Sequence, residues 1–233
     1  MHITTLTNTG AVQATGIDQD AVTSITNNST IKATTGAITQ DSSGAIHNVG
    51  TVDAGTTIGM TSTSAGIQND ANVTAASGIT MNAGAAIDNN NGGNVTVSSS
   101  TGDITLTAGT NITNDIVTAT TGSISMDTAT KGNGSIENTG AVSAGTNITQ
   151  NAKTTLTNDS TVTATGAIDQ DAVGKIWNKK HCSSWNHHRH DFHRCGHPKR
   201  YYRYGRRGFN AKRKKLPCSI RALCKPLVLI RML

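Results

Sequence analysis

Apolar and polar residues alternate along the chain in short bursts. Val52-Asp53-Ala54, Val162-Thr163-Ala164 and Ile124-Ser125-Met126 all run apolar, polar, apolar. A period of two sends successive side chains to opposite faces of a strand, whereas an amphipathic helix needs apolar residues at steps of three and four. Val, Ile and Thr also favour extended backbone. These bursts recur as a unit. Each unit begins with an aliphatic residue, any residue, then Asn: Leu6-Thr7-Asn8, Ile25-Thr26-Asn27, Ile46-His47-Asn48, Ile67-Gln68-Asn69, Ile87-Asp88-Asn89, Ile112-Thr113-Asn114, Ile136-Glu137-Asn138, Leu156-Thr157-Asn158 and Ile176-Trp177-Asn178. The steps between them are 19, 21, 21, 20, 25, 24, 20 and 20 residues.

Two further aliphatic anchors follow in every unit. The second is Val12, Ile31, Val52, Val73, Val95, Val117, Val142 or Val162, and the third Ile17, Ile38, Ile58, Ile79, Ile104, Ile124, Ile148 or Ile168. Gly, Asn, Asp and Ser separate the bursts and supply turns. One three-stranded unit cannot bury its own apolar face, but stacked units share a continuous core. The pattern therefore predicts an all-β fold, a parallel β-solenoid over residues 3–178. It has about eight coils of roughly 20 residues, with three short strands per coil. At about 4.8 Å per coil the rod is roughly 40 Å long.

The recurrent Asn predicts a ladder at a coil corner. Asn8, Asn27, Asn48, Asn69, Asn89, Asn114, Asn138, Asn158 and Asn178 would each bond neighbouring backbone or the Asn one coil away. The two wide repeats hold Asn89-Asn90-Asn91-Gly92-Gly93 and Lys131-Gly132-Asn133-Gly134. Insertions in a solenoid usually become loops on one face. Without aromatics or clustered charge, these two are expected to be spacers. A calcium-binding nonapeptide roll is excluded, because Gly-Gly-x-Gly-x-Asp does not recur. Collagen is excluded as well, since Gly lacks a period of three and residues 1–178 contain no Pro.

Blocks such as Asn138-Thr139-Gly140-Ala141-Val142-Ser143-Ala144-Gly145-Thr146-Asn147-Ile148-Thr149, Asn8-Thr9-Gly10-Ala11-Val12 and Thr107-Ala108-Gly109-Thr110-Asn111-Ile112-Thr113 resemble the repeat regions of filamentous-haemagglutinin-like adhesins and bacterial autotransporter passengers. The resemblance covers about residues 3–178. It implies a large secreted or surface-displayed β-helical rod used in adhesion, with a host-cell or extracellular-matrix surface as the intact protein's partner. The chain departs from such proteins in showing no secretion signal, cap domain or outer-membrane anchor. The expectation is a piece of a longer gene, whose other coils would flank this one.

Composition fits a narrow core: aromatics are 3% of the 233 residues, and Trp177 is the single one before Asn178. The net charge of +6 conceals two texts. Residues 1–178 hold 4 Lys against 12 Asp and 1 Glu (4 − 13 = −9), while residues 179–233 hold 16 Lys and Arg against Asp191 (16 − 1 = +15). All four Cys and all three Pro lie in the basic part. Cys182, His187, His188, His190, His193, Cys195 and His197 look like metal ligands, but no Cys-x₂₋₄-Cys pair exists to make a zinc finger. Lys199 to Lys215, with Tyr201, Tyr202, Tyr204 and Phe209, looks like a nucleic-acid strip.

A shifted reading frame accounts for that part more simply. Codons for His181-Cys182-Ser183-Ser184-Trp185-Asn186 can encode Thr-Val-Ala-Ala-Gly-Thr one base along, close to Thr51-Val52-Asp53-Ala54-Gly55-Thr56 in the repeat. His187 to His193 permit the equivalent of Thr57 to Thr63, and Cys195 to Arg200 that of Ala65 to Asp70. Residues 179–233 are thus expected to be out-of-frame and disordered, with no metal, cofactor or specific nucleic acid. Pro226 to Leu233 is too short to span a bilayer.

Three functions follow in order. The first is the stalk of an extracellular or cell-surface adhesin, without catalysis. The second is a carbohydrate-active β-helix enzyme, for which Asp18/Asp20 and Asp169/Asp171 are the acidic pairs. The third is metal or nucleic-acid binding through the tail.

Overall fold

The computed structural model describes residues 3–128, 130, 132–180 and 182–184. These belong to one compact unit, Met1–Lys199; a second, Arg200–Leu233, lies outside the described residues, as do the His-rich and Lys/Arg-rich runs of the tail.

The chain winds through three parallel sheets in turn. The first sheet stacks Thr5–Asn8, Ser24–Asn27, Ala45–Asn48, Ile67–Asn69, Ile87–Asn89, Ile112–Asn114, Ile136–Asn138, Leu156–Asn158 and Ile176–Asn178. The second stacks Val12–Ala14, Ile31–Ala33, Val52–Ala54, Val73–Ala75, Thr96–Ser99, Ile116–Ala119, Val142–Ala144, Val162–Ala164 and Cys182–Ser184. The third stacks Ile17–Ala21, Ile38–Ser42, Thr57–Ser62, Gly78–Ala83, Ile104–Ala108, Ile124–Asp127, Ile148–Ala152 and Ile168–Ala172. This is a parallel β-solenoid of about eight turns, as the periodicity predicts.

Register is strict because like stacks on like. Ile67 pairs with both Ile46 and Ile87, Val73 with Val52, and Ile104 with Ile79 and Ile124. Inward positions are sealed while the residues between them face outward: Ile31, Ile67 and Ile136 are at most 1% exposed. A slip by one residue would turn every Ile outward, so the alternation itself fixes the register. Small residues complete the wall of the second sheet, with Ala33, Ala54, Ala75, Ala119, Ala144 and Ala164 buried. Three such walls close on a core with little room for aromatic rings.

Three expectations need correction. Val97, not Val95, is the second anchor of its coil, since Val97 pairs with Val73 and Val117. Val95 is buried as well, but it belongs to the connection before that strand. The two insertions also do not share one face. The first runs between the first and second sheets, after Asn89; the other connects the third sheet to the first, between Asp127 and Ile136. Finally, regular pairing continues past Asn178, because Cys182–Ser184 joins the second sheet with Cys182 opposite Val162. Cys182 thereby enters the column of Val52, the residue that the shifted frame aligns with it.

Glycine is required where coils touch through backbone. A Cβ on Gly102 would lie 1.5 Å from the carbonyl oxygen of Ser77 on the preceding coil. No side chain fits there without moving backbone.

Candidate functional site

The most organised polar feature is inside the rod. Each first-sheet strand ends on an inward Asn, and each of the first eight bonds the next. Nδ2 of Asn8 donates to Oδ1 of Asn27, and so on through Asn48, Asn69, Asn89, Asn114, Asn138, Asn158 and Asn178. The eight links measure 2.5–3.0 Å and all run in one direction. The seven inner residues are 0–1% exposed. The predicted ladder therefore stands in the core, at the strand end next to the corner, with side-chain partners on neighbouring coils.

A second amide column, absent from the sequence reading, faces it from the third sheet. Gln19 and Asn27 exchange two hydrogen bonds of 3.1 Å, and Gln40 and Asn48 two of 3.0 Å. Gln150 pairs with Asn158 at 3.2 Å, and Gln170 with Asn178 at 2.8 and 3.5 Å. Gln40 also donates to Gln19, and Gln170 to Gln150, both at 2.7 Å. In the four central coils Met60, Met81, Leu106 and Met126 take the Gln position. There Asn48, Asn69, Asn89 and Asn114 point Nδ2 at methionine sulfur, 3.6–3.8 Å away. Asn spends one N–H and one lone pair on the ladder. The glutamines satisfy what remains at both ends, and the polarizable thioether is the apolar substitute between them.

Outside, short polar side chains tie coil to coil. Lys32 meets Asp53 at 2.6 Å, His47 meets Asp70 at 2.8 Å and Lys179 meets Asp159 at 2.8 Å. Asp70 also accepts 2.8 Å from Gln68. Burial raises the Asp70 pKa, but the Gln68 and His47 hydrogen bonds and the nearby His47 charge together hold it below the ordinary carboxylate value. Trp177 stands half-exposed with Lys175 Nζ 5.8 Å from its ring centroid.

The acidic pairs of the enzyme reading stand at opposite ends of the third sheet. Asp18 and Asp20 project from the first strand of the third sheet, and Asp169 and Asp171 from the last, with six strands between. Seven steps of about 4.8 Å set the pairs roughly 34 Å apart. Two carboxylates acting on one glycosidic bond must lie within about 10 Å, so the two pairs cannot act on the same bond. Within the first pair, register brings Asp41 beside Asp20. Among the described residues no three His, Cys, Asp or Glu converge on a metal position, and no helix is long and apolar enough to cross a membrane.

No protein-family model, curated protein or solved structure matches the chain. What the residues establish is the β-solenoid and its amide spine.

Proposed function

We propose that the solenoid is a rigid spacer, the stalk of a secreted or surface-displayed bacterial adhesin whose binding regions lie elsewhere in a longer chain. The observation behind this reading is the unbroken in-register stacking of about eight coils on one continuous buried amide column. A column shared by all coils resists bending and twisting at every level, which suits a part whose task is to hold distance. The resemblance of the Asn138–Thr149 block to haemagglutinin-like repeats supports the same reading, and so does the scarcity of large side chains on the outer faces. The proposal has the parent protein contact a host-cell or matrix surface and gives these coils no catalytic step.

Nucleotide sequence on both sides of the gene tests it. The stalk reading expects further coils upstream preceded by an export signal. It also expects coils continuing in the shifted frame beyond codon 181. A gene with neither would remove it.

A further inference from the structure

The sequence places Asn directly before Gly at two positions, one in each insertion: Asn91-Gly92 and Asn133-Gly134. An Asn followed by Gly can react with its own backbone. The amide nitrogen of the next residue attacks the side-chain carbonyl carbon, and glycine hinders that approach least because it has no Cβ and the widest choice of backbone angles. The reaction needs the peptide between the two residues to rotate, so the surroundings of each pair decide whether it proceeds.

Those surroundings differ. Asn91, Gly92 and Gly93 are all exposed, and a Cβ on Gly92 or Gly93 would have nothing within 4 Å. Gly92 and Gly93 adopt φ of 69° and 85°. The Asn91 side chain is held only by a 3.4 Å bond from Nδ2 to the Asp70 carbonyl oxygen. Gly92 N donates at 2.9 Å to Asn90 O, a three-residue turn that one peptide rotation opens. Asn133 is exposed too, but Gly134 is buried, and a Cβ there would run into the Thr110 carbonyl oxygen of the preceding coil. The Gly134 carbonyl accepts from Thr154 N and from Thr128 Oγ1, both at 3.0 Å, and Asn133 N donates to Gly109 O at 3.3 Å. That peptide is clamped between coils.

We propose that the first insertion is a self-modification site, at which Asn91 converts to aspartate and isoaspartate in the folded chain while the same dipeptide at Asn133 is protected. Gly92 N loses its proton and forms a bond to Asn91 Cγ. The Cγ–Nδ2 bond breaks, and ammonia leaves with that proton. Water then opens the five-membered imide. Cleavage of the new N–Cγ bond gives aspartate; cleavage at the backbone carbonyl gives isoaspartate, whose main chain runs through Cβ and Cγ. Either product replaces a neutral amide with a carboxylate and gives up the bond to the Asp70 carbonyl. The inference does not depend on the stalk reading.

The test incubates the full chain in buffer and in urea and follows both residues by peptide mass spectrometry, where conversion adds about 1 Da. In the folded chain Asn91 should react at least about tenfold faster than Asn133, whose reaction must wait for local opening. Urea should bring the two rates within about threefold of each other. The Asn91 rate should rise roughly tenfold from about pH 7 to about pH 8, because the attacking amide must be deprotonated. Enzymatic methylation specific for isoaspartate should label residue 91. Gly92→Ala should slow the reaction by about tenfold or more. Asn91→Gln, which would need a larger ring, should stay intact. Asn91 reacting no faster than Asn133 in the folded chain overturns the site. So does a product free of isoaspartate, or either variant converting at the wild-type rate.

Discussion

An asparagine inside a core of Ile, Val, Leu, Met and Ala brings two donors and an oxygen with two lone pairs into a place without water. It is tolerable because Asn residues on the neighbouring coils answer one donor and one lone pair, and a facing Gln or methionine sulfur meets the second N–H in most coils. Removing one link should therefore cost more than the bond itself. Asn69→Ala strips the acceptor from Asn48 and the donor from Asn89. A buried group left unsatisfied costs about 1–3 kcal/mol, so the variant should lose roughly 2–4 kcal/mol in denaturant unfolding. Asn178→Ala, at the half-buried end of the column, should lose about 1 kcal/mol or less. Asp70 gives a pH signature. Its pKa is lowered in the folded chain, so its contribution is complete above the unfolded value of about 3.9 and disappears as pH falls through the folded value. Between pH 5 and 2 the thermal midpoint of wild type should drop further than that of Asp70→Asn. The Asn column was legible because Asn recurs after the same aliphatic residue nine times. The Gln column was not: Met and Leu hold its central places, and a Gln alternating with Asp18 and Asp20 has the same pattern as a solvent-facing one.

At the scale of the strand, the three apolar anchors per coil carried almost the whole architecture, because a period of two and a buried face leave one register. The exception shows what the pattern lacks. Val95-Thr96-Val97 presents two β-branched residues two positions apart, and either satisfies alternation; only pairing with Val73 and Val117 selects Val97. Insertions were visible as longer steps, but not the corners they occupy, since a step counts a whole coil. Backbone proximity also divides the glycines. Gly102→Ala meets the Ser77 carbonyl and should destabilise by more than about 2 kcal/mol. A Cβ on Gly59, in the outward middle of Thr57–Ser62, has nothing within 4 Å. Gly59→Thr should therefore raise the midpoint, gaining up to about 1 kcal/mol from lost unfolded-state freedom and better strand propensity. Thermal unfolding of the two variants side by side checks both signs.

For the whole molecule, each coil touches mainly its neighbours, so stability is close to a sum of coil and interface terms. The charge of +6 describes neither part, since an acidic repeat and a basic tail add to it. The shifted-frame reading predicts that a chain ending at Ser184 keeps its strand signal and unfolds within about 2 °C of the full chain. A large drop would mean that residues beyond Ser184 belong to the fold. The direction of the amide column has a further consequence. Every coil receives one hydrogen bond from the coil before and passes one to the coil after. A whole coil can be duplicated or deleted without leaving any amide unanswered, whereas a partial coil interrupts the chain of donors. The repeat number is thus free to change in whole units, and the rod can be lengthened by copying its gene segment with no other residue having to adapt.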